Sequence, residues 1–219
     1  MPVMEHLHLI HSAQLWLFFV LVLGIIALPG MDMAFVLGST LVDGRRGGLA
    51  ALAGIVAGGV AHTAMAALGV GLVLKAVPGL FTLMLFAGAL YLGWIGWSLL
   101  RGASALGEVG APASRPWTAT FRQGLLTCLL NPKAYLFMLA VWPQFARPEH
   151  GSMLSQAIAM GAIIVLTQAA VYGAVVLGAD GARAFLRGSG PAQVRAGQAI
   201  GLVLMGGAAW MLWQGLRHP

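Results

Sequence analysis

Six long apolar runs, separated by short polar or glycine-rich stretches, dominate the chain. They lie at about Leu15 to Leu41, Gly48 to Leu74, Leu80 to Leu100, Phe121 to Gln144, Met153 to Ala179 and Val194 to Trp213. Each reaches roughly 20 residues, the length an α-helix needs to cross a hydrocarbon core about 30 Å thick. Because each is continuously apolar, without the period-two alternation of a membrane barrel, the pattern predicts helices rather than strands. The connections Val42 to Gly47, Lys75 to Gly79, Phe145 to Ser152 and Asp180 to Gln193 are short. A longer stretch from Arg101 to Thr120, with Gly, Pro and Ser and no apolar period, reads as a linker between two halves of a single membrane domain, about 15–100 and 121–214.

The first and fourth runs are each interrupted near the middle, by Pro29-Gly30 and by Asn131-Pro132. Proline has no backbone N–H and obstructs the carbonyl four residues earlier, so each interruption frees polar backbone groups inside the membrane. The breaks correspond in position: Phe18 precedes Pro29 by 11 residues, Phe121 precedes Pro132 by 11, and the common offset is 103. Three helices per half make the halves opposite in orientation, and paired breaks at matching places of inverted halves point to a midplane binding site in secondary transporters. The expectation is an all-α membrane protein of six transmembrane helices, built as two inverted three-helix repeats with helices 1 and 4 broken mid-membrane. Two unrelated proline kinks absorbed by packing are the alternative.

Charged groups mark the same places. Asp32 lies three residues after Pro29, and Lys133 follows Pro132 directly. A charge near the bilayer centre costs at least about 2.5 kcal/mol and faces the bundle interior. Pro29, Gly30, Asp32, Asn131, Pro132 and Lys133 are therefore candidate substrate-binding residues, and opposite charges from equivalent helices suit a zwitterion. A structural ion pair that fixes helix register reads equally well. His62 ends a small-residue stripe through Ala50, Gly54 and Gly58, so it should face another helix and is a candidate, with Asp32, for proton coupling. Gln168 and Tyr172, one turn apart in the fifth run and near the offset equivalent of His62, are candidates for the same cavity. Interhelical hydrogen bonding without a ligand is the plainer reading of all three. Tyr91, with Gly88, Gly93 and Gly96, reads as a close-packing surface.

Composition agrees with lipid as the main solvent: 59% of the 219 residues are hydrophobic, 8% are charged, and mean hydropathy is +0.88. Glycine is frequent, with 31 residues, as it is where membrane helices approach closely. The net charge of +6 arises from arginines between the apolar runs, so it reads as a topology signal and not as a nucleic-acid surface. Eight of these basic residues (Arg45, Arg46, Arg101, Arg115, Arg122, Arg183, Arg187 and Arg195) fall in loops one, three and five. Lys75, Arg147 and Arg217 fall on the other side, which puts both termini in the periplasm of a bacterial inner membrane. Met1 to Gln14 carries no Lys or Arg, so the first apolar run is expected to stay in the mature protein.

Trp94, Trp97, Trp117, Trp142, Trp210 and Trp213, near helix ends, read as interfacial belts. The lone Cys128 supplies neither a disulfide nor a thiol cluster for zinc, and His6, His8 and His11 read as solvated rather than metal-binding. No Walker-type glycine loop is present, which argues against an ATP-driven pump. The chain is expected to be no enzyme and to need no cofactor and no metal. Its partners are a small-molecule substrate, protons and membrane lipid, and self-association into a homo-oligomer stays open.

Four segments taken together resemble the LysE/RhtB family of amino-acid exporters: Leu28-Pro29-Gly30-Met31-Asp32-Met33, Asp43-Gly44-Arg45-Arg46-Gly47-Gly48-Leu49, Gly88-Ala89-Leu90-Tyr91-Leu92 and Asn131-Pro132-Lys133-Ala134. The likeness runs through nearly the whole chain in order. Where the family's first motif usually has a second proline after the glycine, this chain has Met31. The resemblance implies export of amino acids or close derivatives, driven by proton exchange with alternating access. Rival readings are a cation or metal-ion exporter, a thiol-based electron conduit, and a membrane assembly protein without transport.

Overall fold

The computed structural model describes residues 2–69, 76–105, 115–147, 151–186 and 190–217. The described residues are helical, with no strand among them: α1 (Pro2–Ala27), α2 (Met31–Ala67), α3 (Pro78–Ala105), α4 (Trp117–Leu129), α5 (Pro132–Ala140), α6 (Trp142–Phe145), α7 (Met153–Leu186) and α8 (Gly190–Arg217). An unpaired backbone amide in hydrocarbon costs several kcal/mol, so apolar runs of this length satisfy their own N–H and C=O groups as helices. Met31–Ala67 and Met153–Ala182 are each long and apolar enough to cross a membrane, and α4 with α5–α6 forms a broken span bent by 44°. Ala13–Ala27, Thr82–Ser98 and Gln198–Trp213 are shorter apolar helices. Lys75, Arg187 and the 106–114 part of the linker lie outside the described residues, as do the side chains of His6, His8 and His11.

The expected loop from Val42 to Gly47 contracts to one residue. Gly44 has φ 72° and ψ −167°, a positive-φ geometry that glycine adopts without penalty, and it divides α2 into two helical segments. The chain folds back there. A Cβ on Gly47 would lie 2.8 Å from the Ser39 carbonyl oxygen, and one on Gly48 would strike the Thr40 hydroxyl. Residues eight apart in a straight α-helix are separated by about 12 Å, so Met31 to Asp43 and Arg45 to Ala67 are two arms of a tight hairpin. The stretch from Asp180 to Gln193 also differs from expectation. Helix α7 runs through it to Leu186, and α8 resumes at Gly190. Likewise α3 continues to Ala105 and α4 begins at Trp117, so helix occupies both ends of the stretch 101–120.

Packing is organised by small residues. α2 lies along α4 and α7, α1 along α7, and α3 along α8. At the α2–α4 contact, Gly54 faces the backbone of Phe121 and Leu125, Gly124 faces the Ala51 backbone, and Gly58 faces the Cys128 side chain. At the α3–α8 contact, Gly96 and Gly201 each face the other's carbonyl at 2.8 Å from a hypothetical Cβ. Apolar cohesion gives no drive for helix association in lipid, so close backbone approach supplies dispersion contacts in its place. The buried core includes Phe18, Phe35, Val36, Ile55, Met160 and Val176, while Leu154, Leu166, Leu202 and Val203 point outward as lipid-facing side chains do.

A methyl at Gly54 has no room to enter. Gly54→Ala is expected to lower stability by about 2 kcal/mol, the scale of overpacking a tight contact, read as a fall in Tm of the detergent-solubilised protein. Gly178→Ala, where a Cβ would meet nothing within 4 Å, serves as the control and should leave Tm in place. Equal Tm values for the two variants would contradict the close α2–α4 approach.

Candidate functional site

The two breaks meet. Pro29 has no N–H to donate to Ile25, the acceptor four residues earlier, so the Ile25 carbonyl is freed at the end of α1. Lys133, from the other half of the chain, fills the vacancy: its Nζ donates to the Ile25 oxygen at 2.9 Å and to the Leu28 oxygen at 3.1 Å. A cation at a helix C-terminus also meets the negative end of the helix dipole. Gly30 allows this approach, since a Cβ there would sit 3.3 Å from the Lys133 Nζ.

The second break is compensated from the opposite direction. Pro132 cannot donate to the Cys128 carbonyl, which instead lies 2.9 Å from the His62 Nε2 on α2. A carbonyl oxygen only accepts, so Nε2 carries the proton of that bond and the neutral ring presents Nδ1 as an acceptor. The Cys128 oxygen also accepts from the Asn131 N–H at 3.0 Å. Asn131 caps α5 by accepting the Lys133 N–H at 3.0 Å on its Oδ1, with Pro132 in the first helical position where its missing donor costs nothing. The Tyr135 hydroxyl donates to the Leu129 carbonyl at 2.8 Å, completing the cap of α4.

Beside the breaks lies a cavity of about 70 Å³. Of the residues singled out in the sequence, Asp32, His62, Asn131, Lys133, Gln168 and Tyr172 line it. Pro29, Gly30 and Pro132 shape the backbone around it without forming its wall. Four lining residues each hold a buried polar atom with no hydrogen-bond partner: Asp32 Oδ1, His62 Nδ1, Asn131 Nδ2 and Gln168 Oε1. Gln168 is pressed against Gly59, where a Cβ would collide with its amide, and Tyr172 is 1% exposed. Asp32 and Lys133 do not form the ion pair that opposite charges invited. The ion pair among the described residues is Arg115 to Asp43, 2.7 Å, at the Gly44 end of the bundle. Lys133 is drawn instead to the two carbonyls exposed at the end of α1, which leaves Asp32 Oδ1 without a hydrogen bond, with the Asn131 amide and the Lys133 charge as neighbours of the carboxylate.

Sequence reasoning missed part of the wall. Trp142, read as an interfacial belt residue, is 5% exposed and lines the cavity with Phe137 and Met138, whereas Trp94, Trp97, Trp117, Trp210 and Trp213 are exposed. The signal that separates it is Pro143: helix α5 ends at Ala140 and a new turn starts at Trp142, so the indole leaves the lipid-facing register of its helix. Asp43 with Arg115 was also missed. Arg115 Nη1 donates further to the Gln123 Oε1 at 3.3 Å, and the Tyr91 hydroxyl donates to the Gln123 carbonyl at 3.2 Å.

Residues 23–215 match the family described as LysE type translocator. The chain belongs to that family. Among similar proteins, the threonine efflux protein of Escherichia coli (strain K12) is 35% identical over 128 residues, covering 57% of this chain and 62% of the relative. The leucine efflux protein of Salmonella typhimurium (strain LT2) is 31% identical over 131 residues, 59% of this chain and 62% of the relative. An uncharacterised membrane protein of Pseudomonas aeruginosa is 36% identical over 140 residues, 62% and 65% respectively. The matched stretch thus spans about three-fifths of the length of the two efflux relatives. No solved structure matches. All four motif segments of this LysE-type chain lie within the matched residues 23–215.

Lys133→Met removes the donor for two freed carbonyls. It is expected to cost roughly 2 kcal/mol, the penalty of leaving buried acceptors unmade, read as a Tm decrease in detergent. A Tm equal to that of the unmodified protein would show that the α1 carbonyls find other partners.

Proposed function

We propose that this protein exports amino acids or close derivatives across the bacterial inner membrane, in exchange for protons. The observation that carries the proposal is the set of unpartnered polar atoms around one cavity at the paired helix breaks. Buried polar groups are nearly always satisfied, so four orphans converging on one hollow are what a site awaiting a polar ligand presents. Asp32 Oδ1, Gln168 Oε1 and His62 Nδ1 are acceptors, matching the three N–H donors of an ammonium group. Asn131 Nδ2 is a donor, and the first turn of α2 has no side-chain cap at Gly30, so its amides suit a carboxylate. Lys133 retains one N–H after serving its two carbonyls and adds a positive charge for the same group. Pro29, Gly30, Asp32, Asn131, Pro132, Lys133, Gln168 and Tyr172 then make up the substrate site. The family membership and the efflux relatives favour the same solute class.

In this mechanism Asp32 holds the ammonium when substrate is bound and a proton when it is not, with His62 as a second carrier. Substrate and proton compete, so their fluxes run in opposite directions. Alternating access is supported by the packing order. α4 lies against α2 as α7 lies against α1, and α3 lies against α8, the pairing that exchange of two inverted three-helix halves about an axis in the membrane plane generates. The Gly44 end is tied by the Asp43–Arg115 ion pair, with Thr40 and Thr120 buried near it, and we read this arrangement as closed on that side. With both termini periplasmic, that side is the cytoplasm.

Asp32→Asn is nearly isosteric and should keep Tm within a few degrees of the parent. In proteoliposomes with a panel of labelled amino acids, it should abolish efflux driven by a pH gradient, at least about a hundredfold down if the carboxylate supplies some 3 kcal/mol of coupling. Transport that persists with unchanged response to the gradient would remove Asp32 from the mechanism.

A further inference from the structure

We infer that the half of the cavity walled by Val22, Ile26, Met138, Trp142 and Ile164 is a compartment for a short aliphatic side chain, and that Trp142 sets its size limit. This rests on the reading that the cavity takes an amino acid. The unpartnered atoms of Asp32, His62, Asn131 and Gln168 are gathered at the level of the breaks. The apolar wall lies farther along. Val22 stands seven residues before Pro29 and Met138 six after Pro132, about 10 Å of helix in each case. Phe18 contacts Phe137 and Phe145 with ring centroids 5.7 and 5.2 Å apart, so α1 runs antiparallel to α5–α6 and both walls extend to the same side of the breaks.

Charge excludes the other side-chain classes. Asp32 is the sole carboxylate among the lining residues, and the substrate ammonium engages it. A basic side chain would then meet Lys133 with no anion to balance it. An acidic side chain would have to share the last free N–H of Lys133 with the substrate carboxylate, because no arginine lines the cavity. A volume of about 70 Å³ is roughly five times what one water needs, enough for a small amino acid and tight for an aromatic one. An apolar compartment rejects an added hydroxyl by no more than about a hundredfold, so valine and threonine are poorly separated while lysine and glutamate are refused. Trp142 is the bulkiest of these walls and is set at the start of α6, where the chain breaks a second time.

The test is counterflow into proteoliposomes with valine, leucine, phenylalanine, lysine and glutamate as separate labelled probes. Valine and leucine should exchange at least about tenfold faster than lysine or glutamate, and Trp142→Ala should raise the phenylalanine-to-leucine ratio at least about tenfold. Trp142→Phe, a milder change, should move that ratio in the same direction and keeps the test available if the alanine variant does not fold. Lysine or glutamate exchanging as well as leucine would overturn the inference while leaving the export reading intact. An unmoved ratio in a folded Trp142 variant would remove Trp142 as the size limit. No exchange with any of the five would sink the export reading, and this inference with it.

Discussion

In a membrane interior a carbonyl without a donor cannot turn to bulk water, and the breaks at Pro29 and Pro132 each withdraw a helical donor from one carbonyl. This constraint governs the centre of the protein. Pro29 frees the Ile25 oxygen and Lys133 binds it; Pro132 frees the Cys128 oxygen and His62 binds it. In both cases the compensating side chain comes from the opposite half. The two breaks are therefore braced against each other, although the Cys128 oxygen also has a donor in its own half, the Asn131 N–H. Glycines on α2 and α4 bring the backbones close enough for the brace to reach.

Once the brace has used Lys133 and one nitrogen of His62, what is left over is the site we propose. Asp32 Oδ1, the free nitrogen of His62, the Asn131 amide nitrogen and the Gln168 oxygen make no hydrogen bond and border one hollow. In the proposed reading, their donor and acceptor types complement the ammonium and carboxylate of an amino acid, and the apolar residues toward Trp142 face its side chain.

Much of this was legible in the residues because membrane burial makes polarity informative. The breaks at Pro29 and Pro132, the interior charges Asp32 and Lys133, and the inward placement of His62, Gln168 and Tyr172 follow from period, proline chemistry and the cost of charge in lipid. What the sequence could not supply is who partners whom. Opposite charges invited an Asp32–Lys133 pair, but the nearer backbone carbonyls compete for Lys133, and backbone acceptors leave no trace in side-chain pattern. Trp142 was misread because an interfacial tryptophan and a cavity tryptophan look alike until the turn at Pro143 is placed. The hairpin at Gly44 and its Asp43–Arg115 tie depend on a single positive φ and on a contact 72 residues apart.

The cross-brace is most directly measured by solid-state NMR in lipid, with ¹⁵N in the lysine side chains and ¹³C in the isoleucine carbonyls. Strong dipolar dephasing between the Lys133 Nζ and the Ile25 carbonyl, as a 2.9 Å N–H···O contact requires, is the expected result. Absence of dephasing in folded protein would mean that the two breaks are not joined through Lys133, and the site built around that junction would have no foundation.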